Sequence, residues 1–332
     1  MSEILNGEFI RNETNQNSMG GTERLAMELI ERANPDLLKE CQIVCSRIRG
    51  DLQEDKIRIF WAHDLPNDPE STFLKDKNMM NKFHLFVFVS NWQMQAYINA
   101  YGIPWSKCIV MLNAIEPIGS HEKPTDKINL IYHTTPHRGL QLLVPVFEKL
   151  CEKYDNIHLD VYSSFNIYGW GERDEKYKPI FDMIEESPNM TNHGSVSHKE
   201  VREALKEAHI FAYPSIWPET SCMSLMEAMS AGLVCVHSNY GALPETSANW
   251  TQIYQMNEDQ AMHASTFYSM LDMVLSNWEE ESIHSSVAAM QSYANIFYGW
   301  KTRISHWNSM FESMIRNVGD RSFPQEMFNY KI

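Results

Sequence analysis

The stretch HIFAYPSIWPETSCMSLMEAMSAGLVCVHS, residues 209–238, decides the fold. It opens on an apolar run, HIFAYP (209–214), and closes on another, LVCVHS (233–238). Between them lie a polar loop and a segment at helical spacing, 221–231, that stops at Gly232. Neither apolar run alternates with polar residues, which is how strands covered on both faces read. Strand, helix and strand in that order form a unit whose two strands run parallel. The same order recurs outward. Further strands are predicted at 42–46, 56–63, 83–90, 108–112, 128–134 and 158–164, and helices at 21–33, 91–101, 138–153 and 198–208. The sequence therefore predicts an α/β protein with open parallel sheets.

At 332 residues the chain is long enough for two such domains. The polar segment AIEPIGSHEKPTDK (114–127) holds two prolines between strands and is read as the linker. It divides an N-terminal domain, about 1–120, from a C-terminal domain, about 121–290. Beyond 257 the pattern is helical to about 317. With 28 basic and 43 acidic residues the formal charge is −15, which argues against a nucleic-acid binder. The six cysteines show no CxxC spacing, so neither a zinc ribbon nor a dithiol site is expected. They are read as reduced and the setting as cytoplasmic. No run of 18 apolar residues is present to span a membrane.

Two carboxylates in the opening stretch, Glu219 and Glu227, stand eight residues apart. Eight helical residues rise about 12 Å. A glycosidase pair needs its carboxyls about 5–9.5 Å apart, so this spacing suits two grips on a long ligand better than a hydrolytic dyad. A helix N-terminus between them would favour an anion in the middle. Ribose, diphosphate and hexose have that layout. An equally simple reading stands beside it: Glu219 complements a helix dipole, and Glu227 is a solvated helix residue. No Lys or Arg occurs from 207 to 300, so a cation for an anionic ligand there must come from elsewhere in the chain; Arg138 is the best-placed candidate.

The segment resembles the E-x7-E element of retaining family-4 glycosyltransferases of the GT-B fold, and other pieces follow in that family's order. Gly20-Gly21-Thr22-Glu23-Arg24 resembles the glycine pair that opens a helix, and FWAHDLP (60–66) the strand-end histidine. LNAIEP (112–117) resembles the interdomain stretch, YHTTPHRGL (132–140) the phosphate-binding G-R-x-x-x-x-K-G, and GALPE (241–245) the late G-G-x-x-E. The likeness runs from about residue 18 to about 248. It implies two Rossmann-like domains facing across a cleft, with a last helix, 291–317, crossing back to complete the N-terminal domain. It implies transfer of a hexose from a nucleotide-diphosphate sugar to a hydroxyl of a glycan or glycoconjugate, with retention and with no metal or other cofactor.

Carried onto this chain, the family pattern gives Glu219 the hexose hydroxyls, Glu227 the ribose hydroxyls, and Arg138 the diphosphate. The Gly20-Gly21 backbone joins Arg138, and His63 meets sugar and acceptor. Three departures stand out. Arg138 takes the place of the family's lysine. His133 takes the place of its arginine, exchanging a permanent cation for a titratable group. Thr220-Ser221-Cys222 replaces the glycine-containing loop after the first glutamate, so the hydroxyls of Thr220 and Ser221 would donate where backbone would otherwise approach. His133 and His137 bracket a turn containing Pro136, so no metal site is read there. Two alternatives share the pattern: a nucleotide-sugar epimerase, and a non-catalytic nucleotide-sugar or glycan-binding protein.

Overall fold

The computed structural model describes residues 3–5, 8–10, 20–48, 50–119 and 121–317. They fall into two compact units: Ile115–Gly299, and the residues up to Ala114 joined by those from Trp300 onward.

The N-terminal unit is built on a six-stranded sheet of order β2-β1-β3-β4-β5-β6. Its strands are β1 (Glu3–Leu5), β2 (Glu8–Ile10), β3 (Cys41–Cys45), β4 (Ile57–Ala62), β5 (Leu85–Phe88) and β6 (Cys108–Val110). From β3 to β6 the pairing is parallel, as the apolar runs predict. β1 and β2 depart from that expectation, because β1 pairs antiparallel with both β2 and β3. The core gathers Phe60, Phe83, Phe86, Phe88 and Tyr97, all buried. The helix Asn91–Tyr101 starts where Ser90 caps the amide of Gln93 and ends where Gly102 turns left-handed.

The C-terminal unit carries the order β12-β11-β10-β7-β8-β9, every pair parallel. Its strands are β7 (Ile128–Tyr132), β8 (Ile157–Val161), β9 (Met190–Asn192), β10 (Ile210–Tyr213), β11 (Val234–Ser238) and β12 (Gln252–Tyr254). Counted from β7 this is the doubly wound order 3-2-1-4-5-6. The strands β9 and β12 escaped the sequence reading, since MTN and QIY are short and lie in no continuous apolar run.

The division between units also differs from the sequence expectation of a break near 120 and a closing helix 291–317. It falls at Ala114/Ile115, because the stretch read as linker is bound by the C-terminal unit. The amide of Ile118 donates to Ser230 Oγ at 2.8 Å, and Arg202 donates to the carbonyls of Glu116 and Pro117 at 2.6 and 3.0 Å. The closing segment is two helices. Val287–Phe297 stays with the C-terminal unit, where Gln291 donates to the Ser230 carbonyl at 2.9 Å. Trp300–Asn317 belongs to the N-terminal unit and buries Trp300, Trp307, Met310, Phe311 and Met314 at helical spacing. Trp307 meets Trp61 edge-on, ring centroids 4.8 Å apart. The break sits at Gly299, where a Cβ would lie 2.4 Å from the Asn295 carbonyl.

Candidate active site

In a doubly wound sheet the two halves diverge beyond the carboxyl ends of the first and fourth strands, and ligands bind in that crevice. Here those strands are β7 and β10. The turn after β7 (133–139) and the loop after β10 (214–222) carry most of the residues singled out in the sequence. The two segments are fastened together. Gly139 has φ +134°, and a Cβ there would sit 2.2 Å from the Pro214 carbonyl oxygen. The Ile216 amide donates to the Arg138 carbonyl at 3.2 Å.

Glu219 is anchored through its main chain. Its carbonyl accepts from the Ala242 amide at 2.7 Å, and it forms a bridge with Gly241, whose absent Cβ would fall 2.5 Å from that carbonyl oxygen. Glu219 is therefore a loop residue, and the helix begins only at Met223. The helical rise expected between the two glutamates does not apply. Thr220 and Ser221 lead into that helix, whose cap position, Cys222, supplies no side-chain hydrogen bond.

The Glu219 carboxylate is 5% exposed and receives two donors on Oε1, the Arg138 guanidinium and the Tyr213 hydroxyl. Burial works against the arginine's charge, but the adjoining carboxylate holds its pKa above the ordinary value. Burial and the same carboxylate push the Tyr213 phenol up. Arg138 is thus a permanent cation already compensated by a carboxylate. Its Nε is buried with no partner.

Glu227 is also buried, with its side chain 4% exposed, so it is not a solvated helix residue. Nε2 of His198 lies 2.6 Å from its Oε1. His133 is buried beneath the same helix, and its carbonyl accepts from Ser224 Oγ at 3.2 Å. Burial pushes its imidazole down to about 4, against the pull of the Glu227 charge. It is therefore neutral near pH 7, so the position of the family's arginine holds an uncharged ring. His137 stacks on Phe165 at 5.2 Å and meets Trp217 edge-on at 4.8 Å. Burial, then the charges of Arg138 and Arg173, push it down to about 4.

Buried polar atoms without a partner gather at this end of the sheet. They include His133 Nε2, Thr135 Oγ1, His137 Nδ1, Arg138 Nε and Ser163 Oγ. Leaving such an atom unpaired costs about 1–3 kcal/mol, so a cluster of them calls for partners that the chain itself does not supply. Thr135, Ser163 and His198 were missed by the sequence reading. Their only signals are positions: beyond β7, beyond β8, and directly after the helix-capping Ser197.

The remaining candidates lie in the N-terminal unit. Gly20 caps the helix Gly21–Arg32. His63 directly follows β4, its amide donating to Ser46 Oγ at 2.8 Å and its ring packed on Trp61 at 4.5 Å. Burial pushes its imidazole down to about 3. The structure therefore brings His133, Arg138, Glu219, Thr220, Ser221 and Glu227 into one unit and places Gly20, Gly21 and His63 in the other. Among the described residues no group of three or more His, Cys, Asp or Glu is placed to hold a metal ion, and no helix is long and apolar enough to cross a membrane.

Residues 113–269 match the model of the glycosyl transferases group 1. One of the human phosphatidylinositol N-acetylglucosaminyltransferase subunits is 28% identical over 141 residues, 41% of this chain and 28% of that protein, so the matched stretch spans under a third of that relative. A glycosyltransferase from Rickettsia africae superposes with a TM-score of 0.68 at 16% identity, over 92% of this chain and 85% of that one. Anabaena HepE in complex with UDP-glucose superposes with a TM-score of 0.59 at 14% identity, over 79% of this chain and 72% of that one. The fold is that of the GT-B glycosyltransferases.

Proposed function

Because residues 113–269 match the model of the glycosyl transferases group 1, we propose that this chain transfers a hexose-type sugar from a UDP-sugar to a hydroxyl of a glycan or glycoconjugate, with retention. The name of the human relative favours N-acetylglucosamine as the sugar, and the Anabaena complex favours UDP as the carrier. The observation that carries the reading is the set of buried, unpartnered polar atoms around the Arg138–Glu219 pair, at the switch point between β7 and β10.

In this mechanism the Glu227 carboxylate accepts from the ribose hydroxyls. Glu219, held by Arg138 and Tyr213, accepts from the sugar hydroxyls and sets the position of the anomeric carbon. Arg138 offers its unpartnered Nε to the diphosphate, together with the amides at the start of helix Met223–Ser230. Charge growing on the leaving phosphate meets fixed donors, which is electrostatic stabilisation by a prearranged site. No protein nucleophile is assigned; the departing phosphate takes the acceptor's proton on the same face. Neutral His133 contributes a hydrogen bond and no charge. We assign the diphosphate's charge to these groups and not to a divalent ion. The parts of Gly20, Gly21 and His63 are proposed from the family resemblance alone. Six thiols without a disulfide accord with a cytoplasmic setting.

The test is a thermal-shift panel of UDP-, GDP-, ADP- and dTDP-sugars, followed by turnover of the best binder with glycan acceptors in EDTA. A ligand of the folded state raises the melting temperature by mass action. UDP-sugars are expected to stand out, and UDP release is expected to need acceptor and to survive EDTA. Isomerised donor without acceptor would instead indicate an epimerase. Activity restored only by manganese would remove the metal-free mechanism.

A further inference from the structure

Glu227 is a buried carboxylate in a stretch of 94 residues, 207–300, that holds no lysine or arginine. An imidazole is among the groups that meet it. His198 Nε2 stands 2.6 Å from Glu227 Oε1, and the pair joins two helices, His198–Glu207 and Met223–Ser230. The first helix is fixed at its start by a reciprocal cap: Ser197 Oγ accepts from the Glu200 amide at 3.2 Å, and Glu200 Oε2 accepts from the Ser197 amide at 2.9 Å. His198 directly follows the cap, so the cap sets the point from which its ring reaches across.

An ionised carboxylate only accepts hydrogen bonds, so Nε2 carries a hydrogen and donates. The last torsion of a glutamate is broad and roughly two-fold. A short hydrogen bond to one oxygen narrows it and leaves the acceptor directions of the carboxylate pointing one way. An unheld carboxylate could bind one hydroxyl in many poses; a vicinal diol needs both acceptor directions aimed at once.

We propose that His198 is a positioning residue for the donor: it holds the Glu227 carboxylate in the orientation that accepts the two ribose hydroxyls of a nucleoside diphosphate. This rests on the reading of Glu227 as the ribose ligand. The test is calorimetry of UDP and 2′-deoxy-UDP with the full chain, as wild type and as Glu227→Ala, His198→Ala and His198→Gln. Wild type is expected to prefer UDP by about tenfold, the value of one hydrogen bond to a charged group. Glu227→Ala is expected to abolish that preference. His198→Ala is expected to bring it close to one, and His198→Gln, whose amide can donate from a similar place, to restore most of it. A merely structural histidine would lower both affinities together and leave their ratio unchanged; that result in His198→Ala overturns the proposal. A wild-type ratio of one, or a ratio that survives Glu227→Ala, overturns the ribose reading itself.

Discussion

Arg138 shows why a charged side chain near a candidate ligand site has two roles to separate. Its guanidinium is bound to a carboxylate that is 5% exposed, so removing it leaves a buried negative charge with only the Tyr213 hydroxyl beside it. Breaking a buried ion pair from one side costs about 3–5 kcal/mol, whereas replacing both partners by neutral groups is often close to neutral. Arg138→Met is therefore expected to lower the urea midpoint sharply, and Arg138→Met with Glu219→Gln to recover most of it. Transfer should fall by about 10²–10³-fold in both, the usual loss when one electrostatic donor is deleted. A double variant that stays as unstable as the single one would show that the pair is not what Arg138 contributes to the fold. His133 teaches the complementary lesson. Its motif position suggests a titratable cation, but its surroundings, the core beneath helix Met223–Ser230, keep it neutral.

The turn 133–139 and the loop 214–222 act as one piece because glycine lets them touch. Gly139 and Gly194 both have positive φ, but a Cβ at Gly139 would collide with Pro214, while one at Gly194 would meet nothing within 4 Å. Gly194→Ala should cost only the backbone strain, about 1 kcal/mol. Gly139→Ala must in addition part the two segments and carry Arg138 away from Glu219, so it should cost clearly more and weaken UDP binding. Denaturant midpoints of the two variants check this, and equal costs would contradict it. At this level the sequence was legible where signals were strong. Ser90 and Gly102 bound a helix at both ends, and continuous apolar runs gave eight parallel strands to within two or three residues at their ends. It failed for β9 and β12, three-residue strands at or near the sheet edges, and for the hairpin partners β1 and β2, too short to read as separate strands.

Each unit also carries histidines that are neutral in the folded state, and this gives the protein a pH profile. In the C-terminal unit His133 and His237 are both pushed down to about 4 by burial. His237 makes hydrogen bonds of 2.8 Å to the Ser238 carbonyl and 2.7 Å to Thr251 Oγ1, which a neutral ring satisfies. Unfolded, each would bind a proton near 6.5. Below that pH the unfolded chain holds more protons, so stability rises with pH and is lost as pH falls from about 6.5 towards 4. Each histidine contributes up to about 1.4 kcal/mol per pH unit across that window. Urea midpoints should drop steeply from pH 6.5 to pH 4.5; a flat profile would mean that these rings are protonated in the folded state. The N-terminal unit has the same feature in His63, pushed down to about 3.

What the amino-acid order settled was everything local in origin: the alternation of strand and helix and the parallel pairing it entails. Those follow from periodicity, caps and spacing, which act over a few residues. What needed the folded chain was every property created by neighbours distant in sequence. The sequence separations of 81 from Arg138 to Glu219, and of 29 from His198 to Glu227, vanish only when the sheet order sets their elements side by side. Burial, more than any neighbouring charge, then favoured the neutral form of His133, because the charge of an imidazole depends on the solvent that packing removes.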